Sequence, residues 1–433
     1  MMTEANVIAP FRKALLDRFL RYVRIDTQSQ EEREETHPSS EGQKELAALL
    51  VQELCDLGLD DAKTDDFGIV TATLQSNLPS GSERFFPVIG LLAHLDTSPE
   101  VPGCNVHHLI HADYSGGDLP LSESSGQVIR FDDNPELARF VGDTLITSDG
   151  STLLGADNKA GIAEIMTMLD VLQSHPEIRR GTLRIAFTPD EEVGRGTAHF
   201  DIPAFGADVA YTVDGGSMGE IENETFNGAV AECVIRGRNV HPGYARGRMV
   251  NALRIAAEFI AALGKEVGPE QADEREGYLH PYNLDGGVER AALKILLRDF
   301  DADEMVKKAF RLGQIQRRIL QRHPDAVVEM EIREQYRNMK AKLDANPRVV
   351  DCALEAVHRT GVEPVLKAVR GGTDGARLTE LGLLTPNIFT GGMNFHSRHE
   401  WIALGAMEKA VETLVHLIQI WVEEGARLKS AED

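Results

Sequence analysis

Leu183-Arg-Ile-Ala-Phe-Thr-Pro-Asp-Glu-Glu-Val-Gly194 is the stretch on which the fold turns. Leu183–Phe187 is a short apolar run of strand length, and it breaks at once into Asp190-Glu191-Glu192 and the glycines Gly194 and Gly196. The same grammar recurs on both sides. Val88–Ala93 runs into His94, Val209–Val213 into Asp214, Val365–Val369 into Arg370–Gly375, and Asn387–Thr390 into Gly391–His399. Apolar residues at helical spacing mark Gln43–Leu57, Ala160–Gln173, Arg348–His358 and Met407–Glu424. Apolar strands alternating with helices predict an α/β domain with a largely buried sheet.

The middle of the chain breaks that alternation. Three strand-like runs (Gly228–Arg236, Ala291–Asp299, Ala326–Glu334) interleave with two helices, Asn251–Leu263 and Ala302–Arg322. A block of this kind between two parts of an α/β pattern reads as an inserted, smaller α+β domain. The expected division is 1–219 and 338–433 for the first domain and 220–337 for the insertion. Leu15, Phe19 and Tyr22 fall at helical spacing among charged residues, so Met1 to Arg24 reads as an amphipathic helix rather than a signal peptide. Gln28 to Gly42, polar and acidic, reads as an exposed connection.

Composition narrows the function classes. The chain has 433 residues, 42% hydrophobic and 26% charged, which is the balance of a soluble globular protein with a sizeable core. Its 45 basic and 69 acidic side chains leave a net charge of −24. That charge opposes binding to nucleic acid or to an anionic membrane, both of which need a basic face. Its 4 cysteines form no Cys-x-x-Cys pair, which argues against a disulfide framework or a zinc ribbon and for a reducing cytoplasm.

Ligands in open α/β sheets bind beyond the carboxyl ends of the strands. Those ends carry His94 with Asp96, Glu191 with Glu192, Asp214 and His396, and Asp157 joins them from a loop that opens a helix. Alone, Asp157 is a helix cap, Asp190-Glu191-Glu192 a solvated face and Asp214 a turn residue. Together they crowd several carboxylates and two imidazoles at one edge, which requires compensating cations. Two divalent ions balance Asp157, Glu192, Asp214 and one hydroxide. Adjacent acids can divide the work, one binding metal and the other acting as general base. Asp96 is placed to fix the tautomer of His94. His107-His108-x-x-His111 reads as loop, and Gly371-Gly372 lacks the Gly-Lys-Ser/Thr of a nucleotide cradle.

With these residues in place the sequence resembles the peptidase T branch, tripeptide aminopeptidases, of the co-catalytic dinuclear zinc exopeptidases and deacylases. The resemblance rests on His94-Leu-Asp96-Thr97, Thr152-Leu-Leu-Gly-Ala-Asp157-Asn-Lys-Ala-Gly161, Thr188-Pro-Asp-Glu191-Glu192-Val-Gly194, Val213-Asp214-Gly-Gly216, His241-Pro-Gly243 and His396-Ser-Arg-His-Glu400. Asn105-Val106, Gly116-Gly117-Asp118 and Arg248-Met-Val-Asn-Ala252 favour the peptidase T branch.

The resemblance implies a mixed-sheet zinc exopeptidase domain with a smaller dimerisation or lid domain inserted. It implies two zinc ions per subunit, with cobalt or manganese as substitutes. His94 and Asp214 would hold one ion, Glu192 and His396 the other, and Asp157 would bridge them. Glu191 takes the part of general base, and His241 that of oxyanion stabiliser, often reached from the opposite subunit of a homodimer. Arg298, Asn251 and Arg370 with Gly371 and Gly372 are candidates to grip the substrate's backbone or carboxylate. The expected substrates are short peptides, tripeptides foremost. The alternatives are a related deacylase, dipeptidase or carboxypeptidase and, from another class, a non-catalytic metal- or peptide-binding protein.

Overall fold

The structure, a computed structural model, describes residues 9–79, 85–122, 126–264, 268–273 and 275–432. The part of the expected N-terminal helix before residue 9 lies outside the described residues; the rest is helix α1, Arg12–Tyr22, which buries Leu15, Phe19 and Tyr22. The chain divides into two compact units. The first comprises Met1–Asn223, Ala341–Lys367 and Leu378–Asp433, and the second Glu224–Lys340 with Ala368–Arg377.

The first unit is built on an eight-stranded mixed sheet. Its strands are β1 (Lys63–Thr64), β2 (Val70–Leu74), β3 (Ile89–His94), β4 (Leu183–Thr188), β5 (Val209–Gly215), β6 (Glu220–Thr225), β11 (Val365–Val369) and β12 (Asn387–Phe389), in the order β1-β2-β4-β3-β5-β12-β6-β11; β7 to β10, described below, form the sheet of the second unit. The sheet centre is parallel, which explains why its strands read as continuous apolar runs. All six residues of β3 are buried. Register then positions the chemistry. His94 pairs level with Thr188, Leu92 with Thr212, and Ile388 with Val213, so the loops after β3, β4, β5 and β12 leave from one edge.

Helix α2 spans Glu41–Asp56, and α3 (Ala156–Ser174) is buried along almost its whole length, packing against α1, β3, β5 and α7 (Leu404–Glu432). A helix apolar all round belongs in the interior. Gly161 permits the contact with β5, since a Cβ there would lie 2.0 Å from the Val213 carbonyl oxygen. Helix α6, Arg348–Arg359, also packs on α7. His108–His111, expected as loop, is a strand of a smaller sheet that includes Leu145–Ser148 and Trp401–Ala403. The polar connection before α2 is only partly exposed, because Ser39 and Ser40 are buried.

The second unit is a four-stranded antiparallel sheet, in the order β8 (Tyr278–Gly286), β9 (Arg290–Asp299), β7 (Asn227–Arg236), β10 (Val327–Tyr336). Helices α4 (Ala252–Leu263) and α5 (Ala302–Arg322) pack against it around Phe259, Ile295 and Ile315. Residues of β9 alternate between buried and partly exposed, as a sheet covered on one face requires. Strand β8 went unread in the sequence. Among the described residues, no helix is long and apolar enough to cross a membrane.

Candidate active site

Asp157 stands between two imidazoles. One carboxylate oxygen, Oδ1, lies 2.9 Å from His94 Nε2, and the other, Oδ2, lies 3.3 Å from His396 Nε2. Asp214 Oδ1 is 3.3 Å from the same nitrogen of His94, and Glu192 Oε2 is 3.0 Å from that of His396. The structure therefore sorts the residues into two sets, His94 with Asp214 and His396 with Glu192, joined through Asp157. Ligand atoms of His94, Asp157 and Glu192 all fall within 4.8 Å of one another.

Asp96 does two things. It faces His94 Nδ1, with its backbone oxygen at 3.0 Å and Oδ1 at 3.3 Å, so the ring N–H points to Asp96 and Nε2 is left to the cluster. Its carboxylate also accepts the backbone N–H groups of Glu191 at 2.9 Å and Glu192 at 3.1 Å. Those residues form a single 3-10 turn, Glu191–Val193, flanked by Asp190 at φ +57° and Gly194 at φ +71°.

Four further residues, Ser39, Gln43, Asp190 and Glu400, given no role in the sequence reading, hold these loops. Asp190 is buried and accepts hydrogen bonds from Ser39 N at 2.9 Å, from Ser39 Oγ and from Gln43 Nε2 at 2.9 Å, while Gln43 Oε1 accepts the Asp190 N–H. Glu400 is buried and accepts the N–H groups of Leu154 (2.7 Å), Gly155 (2.8 Å) and Asp157 (3.1 Å). Burial pushes its carboxyl up to about 7 against those hydrogen bonds. A signal for Glu400 existed in the His396–Glu400 motif; for Ser39 and Gln43 none did.

The charge balance calls for cations. Burial disfavours a proton on His94, yet the charge of Asp214 and hydrogen bonds to Asp157 hold its pKa well above that of a free imidazole. Burial likewise opposes the proton on His396, but Asp157 and Glu192 raise its pKa to about 12. Glu192 is pushed up to about 8 by burial and by the charge of Asp157. Glu192 Oε1 is buried with no hydrogen-bond partner. Such an oxygen is costly unless something positive sits against it. Two imidazole nitrogens, a carboxylate set between them and an orphaned carboxylate oxygen fit divalent ions.

The remaining candidates lie in the second unit. His241 is exposed, and its Nδ1 accepts the Gly243 N–H at 3.1 Å. Asn251 caps α4 by accepting the Arg254 N–H at 3.1 Å. Arg298 is buried, donates to the carbonyls of Ala229 (3.1 Å) and Leu297 (3.0 Å), and lies over the Tyr336 ring. Arg370 donates to the Ala272 carbonyl at 3.2 Å and lies over Phe226 at 5.2 Å. A Cβ on Gly371 would meet only Val369, at 4.0 Å, whereas one on Gly372 would strike Tyr336 at 2.5 Å. Asn251 and Arg298 thus have structural partners within that unit.

A mixed sheet with a carboxylate set between two imidazoles at its carboxyl edge is an arrangement suited to a metal-dependent hydrolase. Residues 149–420 match Peptidase family M20/M25/M40. The chain is 46% identical over 413 residues to Peptidase T of Geobacillus thermodenitrificans, covering 95% of this chain and 99% of that one. It is 45% identical to Peptidase T of Listeria welshimeri, covering 95% and 100%. The chain belongs to peptidase family M20/M25/M40, within its peptidase T group. The fold is also that of aminopeptidase PepT from Bacillus cereus (TM-score 0.71, 23% identity, 95% and 99% covered). A tripeptidase from Staphylococcus aureus shares it too (TM-score 0.73, 21% identity, 95% and 99% covered).

Proposed function

We propose that this chain is a metal-dependent aminopeptidase that releases the N-terminal residue of short peptides, tripeptides foremost. The observation that carries the reading is Asp157, with one oxygen toward each of two imidazoles. The peptidase T relatives, matched over nearly the whole chain, support the choice of substrate. His94 and Asp214 would hold one zinc ion and Glu192 and His396 the other, with Asp157 between them; cobalt or manganese could take their place. Metal bound there would supply Lewis-acid chemistry, polarising the scissile carbonyl and lowering the pKa of the attacking water.

The chain's own residues do the rest. Asp96 orients His94 through Nδ1 and ties down the turn that carries Glu191. Glu191 takes a proton from the attacking water and returns it to the leaving amine. His241 donates a hydrogen bond to the developing oxyanion. Arg370 grips the backbone or the carboxylate of the peptide. The protein works in the cytoplasm as a homodimer.

The deciding experiment is mass spectrometry of products from Ala-Ala-Ala, Ala-Ala, Ala-Ala-Ala-Ala and N-acetyl-Ala-Ala-Ala, with and without chelator. Alanine released from the free tripeptide alone, and lost on chelation, supports the reading. Cleavage of the acetylated peptide moves the assignment to a deacylase or carboxypeptidase, and silence on all four favours a binding protein. Glu191→Gln should keep its metals and lose turnover by about 100-fold or more. A variant retaining above about a tenth of the wild-type rate would remove Glu191 as base.

A further inference from the structure

Away from the acidic cluster, His37 and His199 of the first unit face each other. His37 lies in the connection before α2, and His199 follows the glycines of the acidic turn. Their ring centroids are 4.6 Å apart with planes at 73°, and their Nε2 atoms are separated by 3.4 Å. Phe67 stacks flat on His199, with centroids 3.8 Å apart at 6°, and sets an edge against His37 at 6.1 Å. The stack limits the orientations open to both imidazoles.

The separation of the two nitrogens is informative. At 3.4 Å it is longer than a good hydrogen bond between nitrogens. It is the spacing a metal would set: a tetrahedral ion with bonds of about 2.0–2.1 Å places two nitrogen ligands about 3.3–3.4 Å apart. We infer that His37 and His199 form a second metal site, taking one borderline transition ion (Zn2+, Ni2+ or Cu2+) with water completing its shell. Imidazole nitrogen suits these ions, whereas Mg2+ and Ca2+ prefer oxygen. The ion would join two segments that both lead to the acidic turn. Two residues beyond His37, Ser39 donates to Asp190; seven residues before His199 is Glu192.

The test is a metal count on the full-length holoenzyme. Wild type, His37→Asn and His199→Asn are dialysed against zinc buffered in the micromolar range, and metal per chain is read by plasma mass spectrometry. Wild type should carry one ion more than either variant, and each substitution should weaken that ion's binding by about tenfold or more. Ni2+ should displace it; Mg2+ and Ca2+ should not. The ions of the acidic cluster, counted in the same samples, report that the variants are folded. Equal counts in all three proteins, or an extra ion that survives either substitution, overturn the inference.

Discussion

Asp157 shows how much one side chain can be asked to do. Its two oxygens face different histidines, so no other single carboxylate can stand in for it. Asp157→Ala should fail to retain a metal pair, and metal analysis of the purified variant should find at most one ion per chain; two would refute the bridging role. Glu164, about two helical turns further along α3, makes a different prediction. Its carboxyl is buried and neither oxygen has a partner, and burial raises its pKa well above the usual carboxylate range. A raised folded-state pKa contributes stability that is complete below the unfolded value of about 4.5 and is lost as pH climbs through the folded value. Wild type should therefore lose melting temperature more steeply than Glu164→Gln between about pH 5 and 8, as thermal unfolding at several pH values will show.

At the scale of elements, the acidic turn is clamped between two buried carboxylates, Asp96 on one side and Asp190 on the other. The Asp190 carboxylate is spent on Ser39 and Gln43, so it and Gln43 act by holding Glu191 in place. Asp190→Asn and Gln43→Leu should each lower kcat by about 10- to 100-fold with KM and metal content little changed. Steady-state kinetics with metal analysis separates that result from a general loss of folding, which would lower all three together. Gly161 makes a purely structural prediction. A methyl there would meet both the Val213 carbonyl and Asn158 Oδ1, at 2.0 and 2.4 Å, so Gly161→Ala should destabilise the fold by about 2–3 kcal/mol in chemical denaturation.

These elements also mark how far the sequence could be read. Strands β3, β4, β5 and β12 were visible because a buried parallel sheet leaves uninterrupted apolar runs, and His94, Glu192, Asp214 and His396 were visible as the polar residues that end them. Ser39 and Gln43 were not, because a hydrogen bond to a residue about 150 positions away leaves no local pattern. Strand β8 was missed for a different reason: it is an edge strand, carries Pro281 at a register shift, and exposes Asn283, Leu284 and Asp285. Asn251 and Arg298 carried no signal that separates a helix cap or a backbone clamp from a substrate contact.

For the whole molecule, metal removal should silence hydrolysis while the sheet persists. Dialysis against chelator followed by circular dichroism and activity assay should show secondary structure kept, and turnover restored when zinc returns. The order of strands has a consequence for the nascent chain. Strand β12, Asn387–Phe389, lies between β5 and β6, and His396 follows it. On the ribosome, β5 and β6 are made some 160 residues before the strand that separates them, so the sheet waits open while the second unit, nearly continuous from Glu224 to Lys340, emerges. Hydrolytic competence thus waits until β12 and His396 have been made, and a chain truncated before β12 lacks both a sheet strand and that imidazole. A ribosome that stalls early leaves no active peptidase loose among half-made proteins.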